Sequence, residues 1–234
     1  MKFFRFKQFQ ITDDRSAMKV GTDSVILGAW VSKSDYTSIL DIGCGSGLIS
    51  LMMAQRFATA DIFGVEIDTS ACLDASFNFE ESPWVNRLKV EHADIREVET
   101  NHIYDLIISN PPFFSESLLP DKKARAEARH DQNLRLNDLF ETVNKGMIHN
   151  GVFALVYPFD RQEELLEVAA QFELFPHRIL HTKNRPNAEV KRSFIEFRKE
   201  KLENVIFESL SIRNNDHVYS EAYKRLTSEF YLNF

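Results

Sequence analysis

Cysteine is scarce: Cys44 and Cys72 are the only two in 234 residues. Two thiols make neither a disulfide framework nor a zinc quartet, and a reducing, cytoplasmic location is expected. No apolar run approaches the roughly 20 residues that a helix needs to cross a bilayer, which argues against a helical membrane span. The opening MKFFRFKQFQ interleaves charges with aromatics and has no small-residue cleavage site, so it does not read as a secretory leader. Repeats and low-complexity linkers are absent too. What remains is 44% hydrophobic and 27% charged, enough for one large domain with a sizeable core, and residues 1–234 are read as that domain.

Positive charge is also in deficit. Twenty-eight Lys and Arg face 35 Asp and Glu, a net charge of −7, which at first argues against a polyanionic partner. The distribution weakens that objection. Residues 1–20, 121–135 and 178–199 hold 17 of the 28 basic side chains but only 7 of the 35 acids. Basic segments on an acidic body suit local contact with phosphates, and scattered solvated charge is the plainer alternative.

Short apolar runs alternate with longer helical stretches, the pattern of a parallel α/β sheet. Strands are expected at Ser38–Asp41, Asp61–Glu66, Leu88–Glu91, Leu106–Ser109 and Val152–Tyr157, with two more near Phe175–His181 and Ser193–Arg198. Helices are expected at Leu48–Arg56, Ser70–Glu80, Leu136–Lys145 and Arg161–Phe172. Asn150-Gly151 reads as the turn that launches the fifth strand. Residues 200–234 show little periodicity, and supply either a last strand and helix or a terminal arm. The expected architecture is α/β: one doubly wound, mostly parallel sheet of about seven strands with helices on both faces. Ligands of such sheets bind beyond the carboxyl ends of the strands.

The first strand breaks into Ile42-Gly43-Cys44-Gly45-Ser46-Gly47 before a helix. Alternate glycines let the backbone turn tightly and approach a ligand with no Cβ in the way. A dinucleotide fingerprint needs glycine at position 48, which is Leu48. Asp41 followed by Gly43, Gly45 and Gly47 instead resembles motif I of the class I S-adenosylmethionine (SAM) methyltransferases, although any tight strand-to-helix turn can use glycines. The second strand ends at Glu66, whose carboxylate can accept both hydroxyls of a ribose. The third leads into Asp94 and Ile95. In the resembled family Asp94 would accept from the adenine amino group, with Ile95 against the ring.

The fourth strand ends in Asn110-Pro111-Pro112-Phe113-Phe114, the most specific feature of the chain. It resembles the N-P-P-aromatic motif of methyltransferases that act on exocyclic or amide amino groups. Such a nitrogen is a poor nucleophile because its lone pair is delocalised. Asn110 Oδ1 and the Pro111 carbonyl can both accept from an NH₂ group and favour a pyramidal nitrogen with its lone pair aimed at a methyl donor. Pro111 and Pro112 stiffen the loop, so the acceptors are preorganised. Phe113 offers a face for base stacking, worth about 1–3 kcal/mol. No strong general base is needed, so no histidine is assigned as one.

Phe6-Lys7-Gln8-Phe9, the run from Asp14 to Asp23 and Leu27-Gly28-Ala29-Trp30, followed by Leu40–Gly47, Asn110–Phe114 and Ala124–His130, resemble the bacterial tRNA1(Val) (adenine-37-N6)-methyltransferase family. The resemblance covers essentially the whole chain and is looser from residue 200. It implies a Rossmann-like class I methyltransferase fold, SAM as donor and adenine 37 of a tRNA as acceptor. It also implies that residues 1–37 form an extension over the site, with Lys19, Thr22 and Asp23 at the methionine end of SAM. The family usually has Tyr where this chain has Phe113; stacking survives that change, a role for a phenolic hydroxyl does not. Residues 122–135 are expected to form a substrate lip in which Lys123, Arg125, Arg129 and His130 meet the tRNA, continued by Arg185, Lys191 and Arg192. A monomer with no metal and no membrane partner is expected.

Four other readings compete. An N5-glutamine methyltransferase of release factors shares the N-P-P-aromatic motif but carries a longer N-terminal helical domain, and only about 38 residues precede the first strand here. An rRNA guanine-N2 methyltransferase usually has a duplicated domain. A DNA adenine methyltransferase wants a target-recognition domain, for which there is no room. A non-catalytic SAM-fold RNA-binding module is disfavoured by an intact Asn110 and the glycines.

Overall fold

The computed structural model describes residues 2–98, 103–111 and 136–234. The chain opens with a two-stranded antiparallel ribbon of β1 (Phe4–Arg5) and β2 (Gln10–Ile11), then α1 (Thr22–Trp30). There follow β3 (Ser38–Ile42), α2 (Leu48–Arg56), β4 (Asp61–Glu66), α3 (Thr69–Glu80), β5 (Leu88–His92) and β6 (Tyr104–Ser109). The second half runs α4 (Leu136–Gly146), β7 (Met147–Pro158), α5 (Gln162–Gln171), β8 (Phe175–Lys183), β9 (Val190–Arg198), β10 (Ile206–Ser211) and α6 (Glu221–Thr227).

Eight strands make one sheet in the order β10-β8-β9-β7-β6-β3-β4-β5. Every neighbouring pair is parallel except those of β9, which runs antiparallel to both β7 and β8. Burial on both faces requires apolar side chains at successive positions, and period-two alternation sorts them to opposite sides. Ile39, Leu106, Ile108, Ala154, Val156 and Phe194 join a core with α1, α2, α3 and α6. Leu40, Ile42, Ile107, Phe153, Leu155 and Ile195 join another with α4 and α5.

The seven expected strands are all present, and the tail supplies the eighth. β10 pairs with β8, and α6 packs against α1. The tail looks aperiodic because β10 is an edge strand, with Ile206 and Phe207 exposed, whereas Tyr223 and Phe230 beyond it are buried. It also closes on the N-terminus: Lys7 N–H donates to Phe230 O at 2.8 Å, and Phe6 forms a bridge with Tyr231.

One local expectation needs correction, and one helix has no counterpart among the expected elements. Asn150-Gly151 does not start the fifth strand. β7 pairs from Met147, and between the Tyr104–Met147 and Leu106–Val152 pairs it advances five residues while β6 advances two. The turn dipeptide lies inside that bulge, where extra residues leave the ladder and return. The helix α1 was not anticipated. Val25, Ile26 and Leu27 are consecutive and fully buried, and a helix apolar on nearly all sides shows no face for periodicity to find.

Candidate active site

The carboxyl ends of β3, β4, β5 and β6 lie side by side, as their parallel registers require. At the end of β3 the glycine loop rises with φ of +68° at Gly43, +58° at Gly45 and +84° at Gly47. L side chains resist that region, which explains three glycines in five residues. A Cβ added at Gly43 or Gly45 would meet nothing within 4 Å, whereas one at Gly47 would overlap the ring of Phe79. The first two positions therefore keep backbone open to a ligand, and the third lets α3 pack against the start of α2. Gly43 and Cys44 N–H donate to Val65 O, at 2.8 and 3.2 Å, tying the loop to β4.

Asp41 lies beneath this loop and does not line the cavity above it. Its Oδ2 accepts from Ser50 Oγ at 2.7 Å, while Oδ1 is buried without a partner among the described residues. Burial pushes its carboxyl up to about 7, against the pull of the Ser50 hydrogen bonds and with a smaller push from Glu66. A carboxyl raised on folding stabilises the fold fully below its unfolded value of about 3.9, and that contribution is lost as pH rises through the folded value. Melting of the ligand-free protein is therefore expected to fall from pH 5 to pH 8, and Asp41→Asn to flatten that slope. Thermal unfolding of both proteins across this range checks it; equal slopes would remove Asp41 as the cause.

Glu66 closes β4 almost fully buried. Its Oε2 accepts from Gly45 N–H at 2.7 Å and its Oε1 from Asp68 N–H at 2.8 Å, so one carboxylate ties the glycine loop to the turn after β4. Each oxygen keeps a further lone pair. Asp68 caps α3 through Ala71 N–H at 2.7 Å, and His92 Nε2 donates to Ile67 O at 3.0 Å. These contacts leave Ile67 58% exposed beside Glu66. Sequence reasoning missed it; the signal was an apolar residue standing between two strand-end acids.

Asp94 is held by the Arg96 side chain, whose hydrogen bonds keep the carboxyl below the usual carboxylate range, and Arg96 also approaches Asp138 at 3.8 Å. Ile95 turns inward, buried in the core that contains Tyr104 and Leu139. Ile95, expected against an adenine ring, is thus largely covered by this core, whereas Ile67 is an exposed apolar side chain beside Glu66.

At the end of β6, Asn110 donates from Nδ2 to Ser24 Oγ at 2.8 Å, and its Oδ1 is buried with no partner among the described residues. An unsatisfied buried acceptor costs about 1–3 kcal/mol, so a ligand donor is the natural completion. Pro111 follows, half-buried. Pro112, Phe113, Lys123, Arg125, Arg129 and His130 lie outside the described residues.

Asn110 shares a cavity with Met18, Lys19, Val20, Ser24, Gly43, Gly45 and Ser46. The N-terminal segment is anchored there by α3, a device the sequence did not reveal. Buried Asp74 accepts from the N–H groups of Arg15 and Ser16 and from Ser16 Oγ at 2.8–2.9 Å. Asn78 bonds Thr12 through N–H and C=O and donates to Ser46 O at 2.8 Å, joining extension, α3 and glycine loop. Lys19 lines the cavity and donates to Asp13 O at 2.5 Å. Thr22 is exposed, and Asp23 pairs with Arg192 at 2.8 Å; neither lines the cavity. Arg185 is exposed beside the His217 ring, and Lys191 pairs with Glu189 at 3.0 Å. A larger groove of about 400 Å³ between α3 and β5 holds none of the expected site residues. Among the described residues no group of His, Cys, Asp or Glu is placed to hold a metal, and no helix is long and apolar enough to cross a membrane.

Comparison with known proteins gives this arrangement a family. Residues 16–145 match the model of the methyltransferase small domain. A protein of Flavobacterium psychrophilum named tRNA1(Val) (adenine(37)-N6)-methyltransferase is 41% identical over 98% of this chain and 99% of its own. One of the same name from Phocaeicola vulgatus is 43% identical over 99% of this chain and 98% of its own. Among solved structures, a predicted O-methyltransferase from Agrobacterium tumefaciens superposes with a TM-score of 0.70 at 17% identity, covering 89% of this chain and 96% of that one; at that identity the likeness is one of fold. The chain belongs to the methyltransferase small domain family and, within it, to the tRNA1(Val) (adenine(37)-N6)-methyltransferases.

Proposed function

We propose that this enzyme transfers a methyl group from SAM to N6 of adenine 37 in tRNA1(Val). The observation that carries the chemistry is Asn110 Oδ1, a buried acceptor with no partner among the described residues, beside an open glycine loop. The relatives' shared name carries the choice of substrate. SAM supplies a methyl group made electrophilic by its sulfonium.

The residues present fit that donor. Gly43 and Gly45 leave room for close approach to backbone. Glu66 keeps lone pairs for ribose hydroxyls, Asp94 has carboxylate oxygens for an amino group, and exposed Ile67 offers an apolar face to the base. Lys19 lines the cavity beside the glycine loop and is the side chain proposed to meet the methionine end. Asn110 Oδ1 and the Pro111 carbonyl accept from the target N–H groups and hold the nitrogen pyramidal. Catalysis is then chiefly positioning for an in-line displacement, and the amine proton leaves to solvent once the methyl has arrived.

Arg185 and Lys191, with Lys123, Arg125, Arg129 and His130, are the side chains proposed to meet the tRNA, and Arg192 acts from within its pair with Asp23. The enzyme is read as a cytoplasmic monomer of one domain, its N-terminal segment lying over the cofactor. The test is methyl transfer from labelled SAM to total tRNA of a strain lacking the gene, followed by nucleoside digestion and mass spectrometry. N6-methyladenosine mapping to position 37 of a valine tRNA is the expected result. Label on rRNA or a release factor, with none on tRNA, would keep the methyltransferase and overturn the substrate.

A further inference from the structure

We propose that Ser24 is a positioning residue for methyl transfer: its hydroxyl holds the Asn110 side-chain amide with Nδ2 turned away from the reacting nitrogen and Oδ1 turned toward it. The inference rests on the reading of Asn110 as the acceptor for the target amine. An Asn amide is nearly symmetric in shape, and a half-turn about its last side-chain bond exchanges oxygen for nitrogen. Only one orientation serves an NH₂ substrate. With Oδ1 forward the amine finds an acceptor; with Nδ2 forward two donors face each other and the nitrogen loses the contact that shapes it.

Among the described residues Ser24 Oγ, 2.8 Å from Nδ2, is the hydrogen-bond partner of that amide, and Oδ1 has none. The productive orientation is therefore set before substrate arrives, which is what preorganisation requires. Ser24 is itself well placed. It sits in the first turn of α1, whose next three residues, Val25, Ile26 and Leu27, are fully buried. Its neighbour Asp23 is tied to Arg192 of β9 at 2.8 Å. α1 is thus pinned to the sheet at its start and along its length, which keeps the Ser24 backbone beside Asn110. The same ion pair gives Asp23 and Arg192 a common task, holding the helix that presents Ser24.

Without the hydroxyl, Nδ2 loses its acceptor and the amide is free to turn. Ser24→Ala is expected to lower kcat roughly 10- to 100-fold, as loss of one buried hydrogen bond predicts, with SAM affinity and the KM for tRNA little changed. Ser24→Thr, which keeps the hydroxyl, should restore most of the rate. The loss should also shrink in an Asn110→Asp background, where either orientation presents an oxygen. An equal loss in both backgrounds, or native kcat in Ser24→Ala, would overturn the proposal while leaving the methyltransferase reading intact. The Asn110 side-chain NH₂ signals of ¹⁵N-labelled protein test it without any substrate. Ser24→Ala should shift them and speed their exchange with solvent, and unchanged signals would overturn the proposal even if tRNA proved not to be the substrate.

Discussion

Asn110→Ala is expected to leave SAM binding near the native value and to slow methyl transfer by two or more orders of magnitude, a cost of about 2.7 kcal/mol or more. The size follows from what the side chain does. Its Oδ1 is buried and held ready, so it exchanges no hydrogen bond with water at the moment of reaction. Its contact with the amine strengthens as the nitrogen becomes pyramidal and positive, and an interaction stronger in the transition state acts on kcat. The cofactor should scarcely notice, because the glycine loop, Glu66 and Asp94 stand on other strands. Calorimetric titration with SAM and single-turnover transfer to tRNA separate the two quantities. Equal losses of affinity and rate would mean that Asn110 shapes the cofactor site and does not address the substrate.

Gly47→Ala should be the most damaging single change in the loop. The backbone there has φ of +84°, a left-handed conformation that costs a non-glycine residue about 1–2 kcal/mol. The new methyl would also overlap the buried Phe79 ring, and overpacking a core adds typically about 1–3 kcal/mol. Together they predict a loss on the order of 3 kcal/mol, or a Tm lowered by about 6–12 °C in a domain of this size. Gly45→Ala separates the two causes. Its φ of +58° carries strain, yet its Cβ would stand in open space. It should melt closer to the native protein and still bind SAM poorly, because the methyl occupies room kept for the ligand. Urea unfolding of both variants, with Phe79→Leu as a partial rescue of Gly47→Ala, checks the argument. Equal destabilisation by the two alanines would rule out the Phe79 overlap.

The parts of this protein legible in the sequence share a physical cause: each is a local requirement. Strands covered on both faces need unbroken apolar runs, and Ser38–Ile42, Asp61–Glu66 and Tyr104–Ser109 have or nearly have them. A tight strand-to-helix turn needs glycine at positive φ, and three stand there. An acceptor pair for a planar amine needs a stiff polar loop at a strand end, and Asn110-Pro111-Pro112 is one. Spacing along the chain was enough to line up Gly43, Glu66, Asp94 and Asn110 on neighbouring strand ends.

Contacts between distant segments were hidden. α1 escaped notice because it is buried nearly all round, and with it went Ser24, an ordinary residue until it lies 2.8 Å from an amide 86 positions away. Asp23 and Arg192 looked like separate ligand-binding charges and are partners of each other. Ile95 and Ile67 look alike in sequence, and only the packing of β6 and α4 decides that one is core and the other exposed. By itself the sequence determined the sheet, the cofactor loop and the acceptor motif, because backbone conformation and local chemistry dictate each within a few residues. The tertiary structure alone decided which polar groups meet and which acceptor is left unsatisfied, because burial and pairing depend on what the rest of the chain brings alongside.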